Sequence, residues 1–558
     1  MTKRSRACEA CQALKVKCEP SPQDENVCER CARTSLSCVP AARRWQRDRI
    51  AELEEQVKTL QEKLNGMASS PQGSTTYGDS TRATSVFSTE GAGTCADAAS
   101  SSELGFLDAR LDHEAQARCL QIASKTVGQF WPVVPAVDAG SATSRLESVR
   151  TETPTKLMAI FGFAMSPADA AMDAQCQNRV RTRVVEILGQ AAVGLRSPSF
   201  DLIQAALVAS LWSRPCLDAN HGNPIQLVAL AHNLSVEFGL GGPAMQSSAP
   251  AWFSRIQGPP TLEMQQTWLL SWAASTMAAL GLRRGHDFDW GSSHSEALQA
   301  LEMSGASPLF LELLYTIRLH AKVASVLELC HVHSFHDINS DLVTTTRDEI
   351  CDGLNALTSR PLALDPQLRF WRMLVAIHVN EPVLHTATNK ILFGAPYVAD
   401  KIGASDIACP PEVTKTAAVA LWSLVEACHL AIDVVVGMEP RLILGLPSLC
   451  FGPAVSYALS ILVKVYVAIS APSNTYGQVL SCETLRVREA VQKLVAVKES
   501  LTRLDPHLGN WNTRIIGSVE WLGTWLDDYE AIIARYRTSL EREAAEQAIG
   551  GLSPNGHF

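Results

Sequence analysis

Sustained alternation of apolar and polar residues, the mark of a half-buried strand, is missing from this 558-residue chain. Long uninterrupted apolar runs are missing as well. The most apolar stretch, Ala454 to Ala471, is broken by Lys464, and the stretch from Ala417 to Val436 carries Glu426, His429 and Asp433. Neither reads as a membrane span. The opening residues, Met1 to Arg6, are polar and basic with no apolar leader, so the expectation is an intracellular protein with reduced cysteines. Catalytic signatures are also lacking: there is no nucleophile elbow, Walker loop, dinucleotide fingerprint or HExxH segment. No enzyme and no membrane partner is expected. Charged residues make up only 19% of the chain against 46% hydrophobic, which leaves ample material for a large buried core.

What is present concentrates near the N-terminus. Cysteines at 8, 11, 18, 28, 31 and 38 form one C-x2-C-x6-C unit that occurs twice. Thiolates two residues apart turn back onto one ion, and a soft-ligand, tetrahedral, redox-inert ion such as Zn²⁺ suits them. One zinc would leave two cysteines idle. Two zincs need eight coordination places, which six sulfurs supply if two of them bridge. The expected cofactor is therefore a pair of Zn²⁺ ions held by Cys8, Cys11, Cys18, Cys28, Cys31 and Cys38. The remaining ten cysteines, from Cys95 to Cys482, have no paired spacing and read as reduced, mostly buried small hydrophobes.

Charge is divided in the same way. Residues 1–50 carry eleven Lys and Arg against six Asp and Glu, a surplus of five, whereas the whole chain is at −9 and the remainder therefore at −14. A basic head on an acidic body confines phosphate binding to the head.

This head resembles the Zn₂Cys₆ DNA-binding domain of fungal transcription factors. The resemblance implies that Cys8 and Cys28 bridge the two ions and that Cys11, Cys18, Cys31 and Cys38 are terminal ligands. It also implies a DNA-reading role for the run Gln12-Ala13-Leu14-Lys15-Val16-Lys17, with Lys15 at the place of the family's base-contacting lysine and Lys17 as the basic residue before the third cysteine. Gln12 departs from the family's usual Arg or Lys and carries no DNA role. Lys3, Arg4, Arg6, Arg43 and Arg44 would meet phosphates, and the pairs Lys3-Arg4 and Arg43-Arg44 could serve nuclear import. Ile50, Leu53, Val57, Leu60 and Leu64 follow at spacings of three and four, which suits the seam of a short two-stranded coiled coil or an amphipathic helix packed on its own domain. In this family a helix directly behind the cluster dimerises, so a homodimer on CGG-type half-sites of double-stranded DNA is implied, acting on the RNA polymerase II transcription machinery.

Five segments are expected. Residues 1–42 form the Zn₂Cys₆ domain, 43–66 the basic linker and coiled coil, and 67–102 a disordered tether rich in Ser, Thr and Gly. Residues 103–545 form a large all-α regulatory domain, and 546–558 a disordered tail. In the body, Leu202-Ile203-Ala206-Leu207-Leu211, Leu227-Leu230-Ala231-Leu234-Phe238 and Trp268-Leu269-Trp272-Met277-Leu280 recur at helical spacing. Helices should start after Pro198, Pro224, Pro259 and Pro411 and stop at Gly239, Gly281 and Gly445. A body of this length calls for two packed halves or a solenoid-like array.

The segments Phe130 to Pro135, Asp201 to Trp212 and Gln265 to Leu269 are similar to the regulatory "middle homology" region of fungal zinc-cluster factors. The nearest subgroup controls secreted proteases, weak-acid responses and biosynthetic gene clusters; Gln266 stands where it commonly has Arg. Control of a secondary-metabolite gene cluster is the implied role. The alternative is a ligand-sensing or enzymatic helical protein with an accessory zinc module; no motif specifies an effector. Two body segments are open to two readings each. His331, His333 and His336 could converge on a metal or simply sit at the negative end of a helix. Trp521 to Tyr529 has the acidic and aromatic mixture of an activation segment and also the period of a buried amphipathic helix.

Overall fold

The chain divides into two units, residues 1–91 and 92–558. The computed structural model describes Cys28, Cys31 and residues 104–550, apart from 129, 139, 167–168, 215–222, 243–258, 287, 396, 398–402, 404–405, 472–473 and the side chains of 543–550. The seam from Ile50 to Leu64 and the tether at 67–102 lie outside the described residues.

Among the described residues the regular structure is helical and contains no strand. α1 (His113–Val127), α2 (Ala142–Glu152) and α3 (Pro154–Ala159) lead into a single π turn, Ile160–Ala164. α4 (Ala174–Ala192), α5 (Phe200–Leu211), α6 (Pro224–Phe238) and α7 (Leu262–Leu282) follow. Then come α8 (Ser292–Ser304), α9 (Pro308–Val326), α10 (Asp341–Thr358) and α11 (Pro366–Asn380), with 3₁₀ turns at Glu381–Leu384 and Lys390–Phe393. α12 (Lys415–Gly437), α13 (Pro440–Gly445), α14 (Phe451–Ser470), α15 (Cys482–Leu485), α16 (Val487–Leu504), α17 (Trp511–Gly517) and α18 (Trp521–Gly550) complete the body.

Local chemistry sets most of these boundaries. Ser199 accepts a hydrogen bond from the Leu202 N–H and starts α5 just after Pro198. Asn223 caps α6 with Pro224 at its first position, and Thr261 and Thr414 cap α7 and α12 just after Pro259 and Pro411. Gly239 ends α6 at a φ of 92°, a left-handed conformation that glycine adopts at no steric cost. Gly281 behaves differently from its sequence expectation. It lies inside α7, and the left-handed residue that ends the helix is Arg283, at a φ of 52°. A side chain raises the energy of that conformation, so a tertiary contact must hold it. α18 also extends through residues 546–550, which composition had assigned to a tail. The run Glu541 to Ala548 is made of strong helix formers and propagates the helix.

The body is one mass around one continuous hydrophobic core that includes side chains from Leu104 to Leu526. A solenoid would bring together only neighbouring repeats. Here the segment after α13 reaches back across the chain: the Trp212 indole N–H donates to the Gly445 carbonyl at 2.9 Å, and the Ser448 hydroxyl donates to that of Ser213 at 2.6 Å. Trp131 meets Trp212 edge-on at 6.2 Å, tying the Phe130–Pro135 segment to the end of α5. α14 is almost entirely buried and is apolar apart from a stripe of Ser456, Ser460 and Lys464. α12 and α14 are long and apolar enough to cross a membrane, and most of each is buried in this core.

Of the described body cysteines, Cys119, Cys176, Cys330, Cys428 and Cys450 are buried, while Cys351 and Cys409 are exposed. Burial pushes the Cys450 thiol up to about 12, so it stays protonated and behaves as a small hydrophobe.

Candidate functional site

Two of the six clustered cysteines are described. Cys28 and Cys31 are both buried, and the Cys31 backbone N–H donates to the Cys28 sulfur at 3.4 Å. A backbone donor aimed at a sulfur favours its thiolate, the form that ligates metal. These two residues thus have the donor chemistry a zinc site needs. Cys8, Cys11, Cys18 and Cys38 lie outside the described residues. So do Lys3, Arg4, Arg6, Lys15, Lys17, Arg43 and Arg44, and the seam residues Ile50, Leu53, Val57, Leu60 and Leu64.

In the body, His331 and His333 are exposed on the turn after α9, and His336 pairs with the Glu328 carboxylate at 3.3 Å. The three do not converge; among the described residues no group of three His, Cys, Asp or Glu side chains is placed to hold a metal ion. Trp521 to Tyr529 forms the first turns of α18. Leu522 and Leu526 are buried, and Trp525 and Tyr529 stack at 5.0 Å against the body. Asp527 in this segment and Glu530 just after it both pair with Arg488, at 2.7 Å each.

Two of the segments that carry the body's resemblance, Asp201 to Trp212 and Gln265 to Leu269, meet in a largely buried polar network. The Asp201 carboxylate accepts the N–H groups of Thr155 and Lys156, at 3.0 and 2.7 Å, and so caps α3. The Lys156 ammonium donates to Gln204 at 2.8 Å and to Glu263 at 3.1 Å, and the Gln204 amide donates to Glu263 and Thr267. Every member has a partner, which suits a network that fixes helix positions.

A second buried cluster is different in kind. Arg283, at the strained end of α7, pairs with Glu381 in the 3₁₀ turn that follows α11, and the two side chains are 7% and 1% exposed. Pro382 cannot donate a backbone hydrogen bond, and the regular helix gives way at this turn. Arg283 Nη2 also donates to the Tyr457 hydroxyl at 3.0 Å, while its Nε and Nη1 have no hydrogen-bond partner among the described residues. The Glu381 carboxylate accepts a second bond, from His385 Nε2 at 2.8 Å. The positive neighbours outweigh the cost of burial and hold its carboxyl below the usual range.

Lys464 on α14 completes the cluster. It is fully buried; its ammonium lies 5.1 Å from the Phe393 ring centre and 3.5 Å from the Ser460 hydroxyl. Burial pushes its pKa down to about 8; Glu381 acts against that shift and Arg283 with it. Next to this group, His320 on α9 and His378 on α11 share a ring hydrogen bond, and both are held neutral by burial and by the Arg283 charge.

Two narrow clefts that share Tyr397 lie nearby. One is lined by His320, Trp371, His378, Cys450 and Tyr457. The other lies between one face of α14, including Ser456, Ser460 and Val463, and the start of α18 at Trp521 and Leu522. No sequence motif marks this region. Its one visible sign was Lys464, the charge that breaks the most apolar run of the chain.

The comparison with known proteins adds one relative. The chain is similar to "Transcription factor pbcR" of Emericella nidulans, with 22% identity over 529 residues, covering 88% of this chain and 67% of that protein. No protein-family model matches the chain, and no solved structure matches it.

Proposed function

We propose that this chain is a zinc-dependent, sequence-specific DNA-binding regulator of RNA polymerase II transcription that acts in the nucleus. The observation that carries the reading is the twice-repeated cysteine unit on a basic head, in a chain similar over most of its length to a protein named as a transcription factor. The buried pair Cys28 and Cys31, with a backbone N–H on one sulfur, supports thiolate ligation. A head with so few apolar residues gains its folding energy from metal, so the DNA-binding unit should be unfolded without zinc.

In this reading six sulfurs hold two zinc ions, with Cys8 and Cys28 bridging. The basic run enters the major groove, where Lys15, with Lys17, reaches guanine acceptors of CGG-type half-sites. Lys3, Arg4, Arg6, Arg43 and Arg44 neutralise phosphates and supply most of the salt-dependent affinity. The seam from Ile50 to Leu64 joins two chains and sets the half-site spacing. Control of a secondary-metabolite gene cluster is the physiological role we assign to it.

The test is binding-site selection from random DNA with the full-length protein, alongside metal analysis. Two zinc ions per chain and enrichment of paired CGG-type triplets, both abolished by a chelator, are expected. A zinc-free protein, or one that enriches no motif, overturns the proposal.

A further inference from the structure

α18 leaves part of its apolar surface uncovered. Leu522 and Leu526 face the core, but along the neighbouring face Trp521, Ile532, Tyr536 and Leu540 are exposed, Ile532 by 57% and Tyr536 by 52%. Trp525 and Tyr529, on the same face, are half-buried. Trp525, Tyr529, Ile532 and Tyr536 follow at spacings of four, three and four, which aligns them on a helix and matches the seam of a two-stranded coiled coil. Single apolar residues on a surface mean little; a continuous stripe of them marks a contact.

The charges of α18 divide by side. Asp527 and Glu530, on the side away from the stripe, are both taken by Arg488. Asp528 and Arg535 flank the stripe on its open side; both are exposed, and neither has an ion pair among the described residues. No residue three or four positions from either one bears the opposite charge, so neither finds a partner within its own helix. The two lie seven residues apart and so occupy equivalent positions beside the stripe.

We propose that α18 is a second dimerisation surface, on which two copies of this chain pair antiparallel across a two-fold axis through Trp525, Tyr529, Ile532 and Tyr536. With Tyr529 set against the partner's Ile532, Trp525 meets the partner's Tyr536, and Asp528 faces the partner's Arg535. The two-fold axis repeats each contact, so the stripe is covered and two ion pairs form. Charge fixes the register: sliding the pair by seven residues sets Arg535 against the partner's Arg535, or Asp528 against the partner's Asp528. A parallel pair would need the other flank of the helix, which Leu526 buries in the body. A contact of this isologous kind closes at two chains. It is separate from the seam proposed at Ile50 to Leu64 and requires neither zinc nor DNA.

The experiment is sedimentation equilibrium of full-length variants without DNA. Leu53→Asp with Leu60→Asp breaks the seam in the head, so a dimer that remains forms elsewhere. In this background the chain should still dimerise at micromolar concentration, and adding Ile532→Asp should make it monomeric. Ile532 is exposed, so the melting temperature of the body should not fall with that change. In the same background Asp528→Arg should weaken the dimer roughly tenfold, because both ion pairs become repulsions. Adding Arg535→Asp to it restores opposite charges in exchanged order and should recover the dimer, which a non-specific apolar association would not do. Should Ile532→Asp fail to fold, the charge exchange alone decides. A monomer at about 50 µM in the seam-broken background, an unchanged dimer with Ile532→Asp, or no recovery on adding Arg535→Asp overturns the proposal.

Discussion

Arg283 and Glu381, 98 residues apart in sequence, form a buried ion pair that joins the end of α7 to the turn after α11. The pair explains why a non-glycine residue occupies the left-handed conformation at the end of α7: Nη2 of the guanidinium is held by both Glu381 and Tyr457. A contact of that strength offsets the backbone cost of about 1–2 kcal/mol.

Glu381→Gln keeps the shape of the side chain and removes its charge, leaving Arg283 and Lys464 without a counter-ion in the interior. Breaking one partner of a buried pair costs about 3–5 kcal/mol, because the remaining charge is stranded. Chemical denaturation of the full chain should show a loss of that size. A loss below about 1 kcal/mol would mean that the cluster does not hold the core together.

The buried histidines set an acid limit. His320 and His378 are held neutral in the folded protein, well below the ordinary histidine range, so the unfolded chain binds protons that the folded chain excludes. Stability is therefore full above about pH 6.5 and falls as the pH drops from there, by about 1.4 kcal/mol per pH unit for each excluded proton. Glu381 works in the same direction at lower pH. Its folded-state carboxyl is depressed, so its contribution is present above the usual carboxylate range and is lost as the pH falls through its folded value. Denaturation midpoints between pH 7.5 and 5 read the histidine effect, and His320→Gln should flatten the slope by about one proton's worth.

How much of this was legible from sequence follows the range of the forces involved. The helix starts at Pro224 and shortly after Pro411, and the stop at Gly239, depend on residues within one turn, and they stand where the sequence predicts. The period of the apolar residues likewise placed α5, α6 and α7. The end of α7 was misplaced because it depends on Glu381, far along the chain, and on no neighbour of Gly281. The buried charge cluster was illegible for the same reason: Arg283, Glu381 and Lys464 come from three separated segments and belong to no motif. The cysteine unit is a pattern of local spacing, which a sequence states directly, and its metal ligation stands as proposed.

The Asp201 network makes a separate prediction about stability. Asp201 caps α3 through two backbone N–H groups, and burial works to raise the pKa of its carboxyl. Asp201→Ala removes the cap and strands both donors, for a cost of about 1–3 kcal/mol. The loss should appear in denaturant unfolding of the body and leave zinc content unchanged. Loss of zinc in this variant would show that the body and the metal-binding head fold as one unit.

Two substitutions in the head separate reading from neutralising. Lys15→Ala should cost about 1–3 kcal/mol of affinity and relax the base preference at one position of the half-site, because in the proposed reading it deletes a contact to guanine acceptors. Arg44→Ala should weaken all sequences alike and lower the dependence of affinity on salt by about one phosphate contact, because it deletes charge that carries no sequence information. Cys28→Ser provides the reference for both. As the proposed bridging ligand it should, when replaced, release both zinc ions and abolish selective binding, while the melting of the helical body, a separate unit from residue 92 onward, stays as in the parent. Site selection, salt titration and metal analysis on the three full-length variants give three different patterns. If Lys15→Ala and Arg44→Ala gave the same pattern, the head would bind DNA through charge alone.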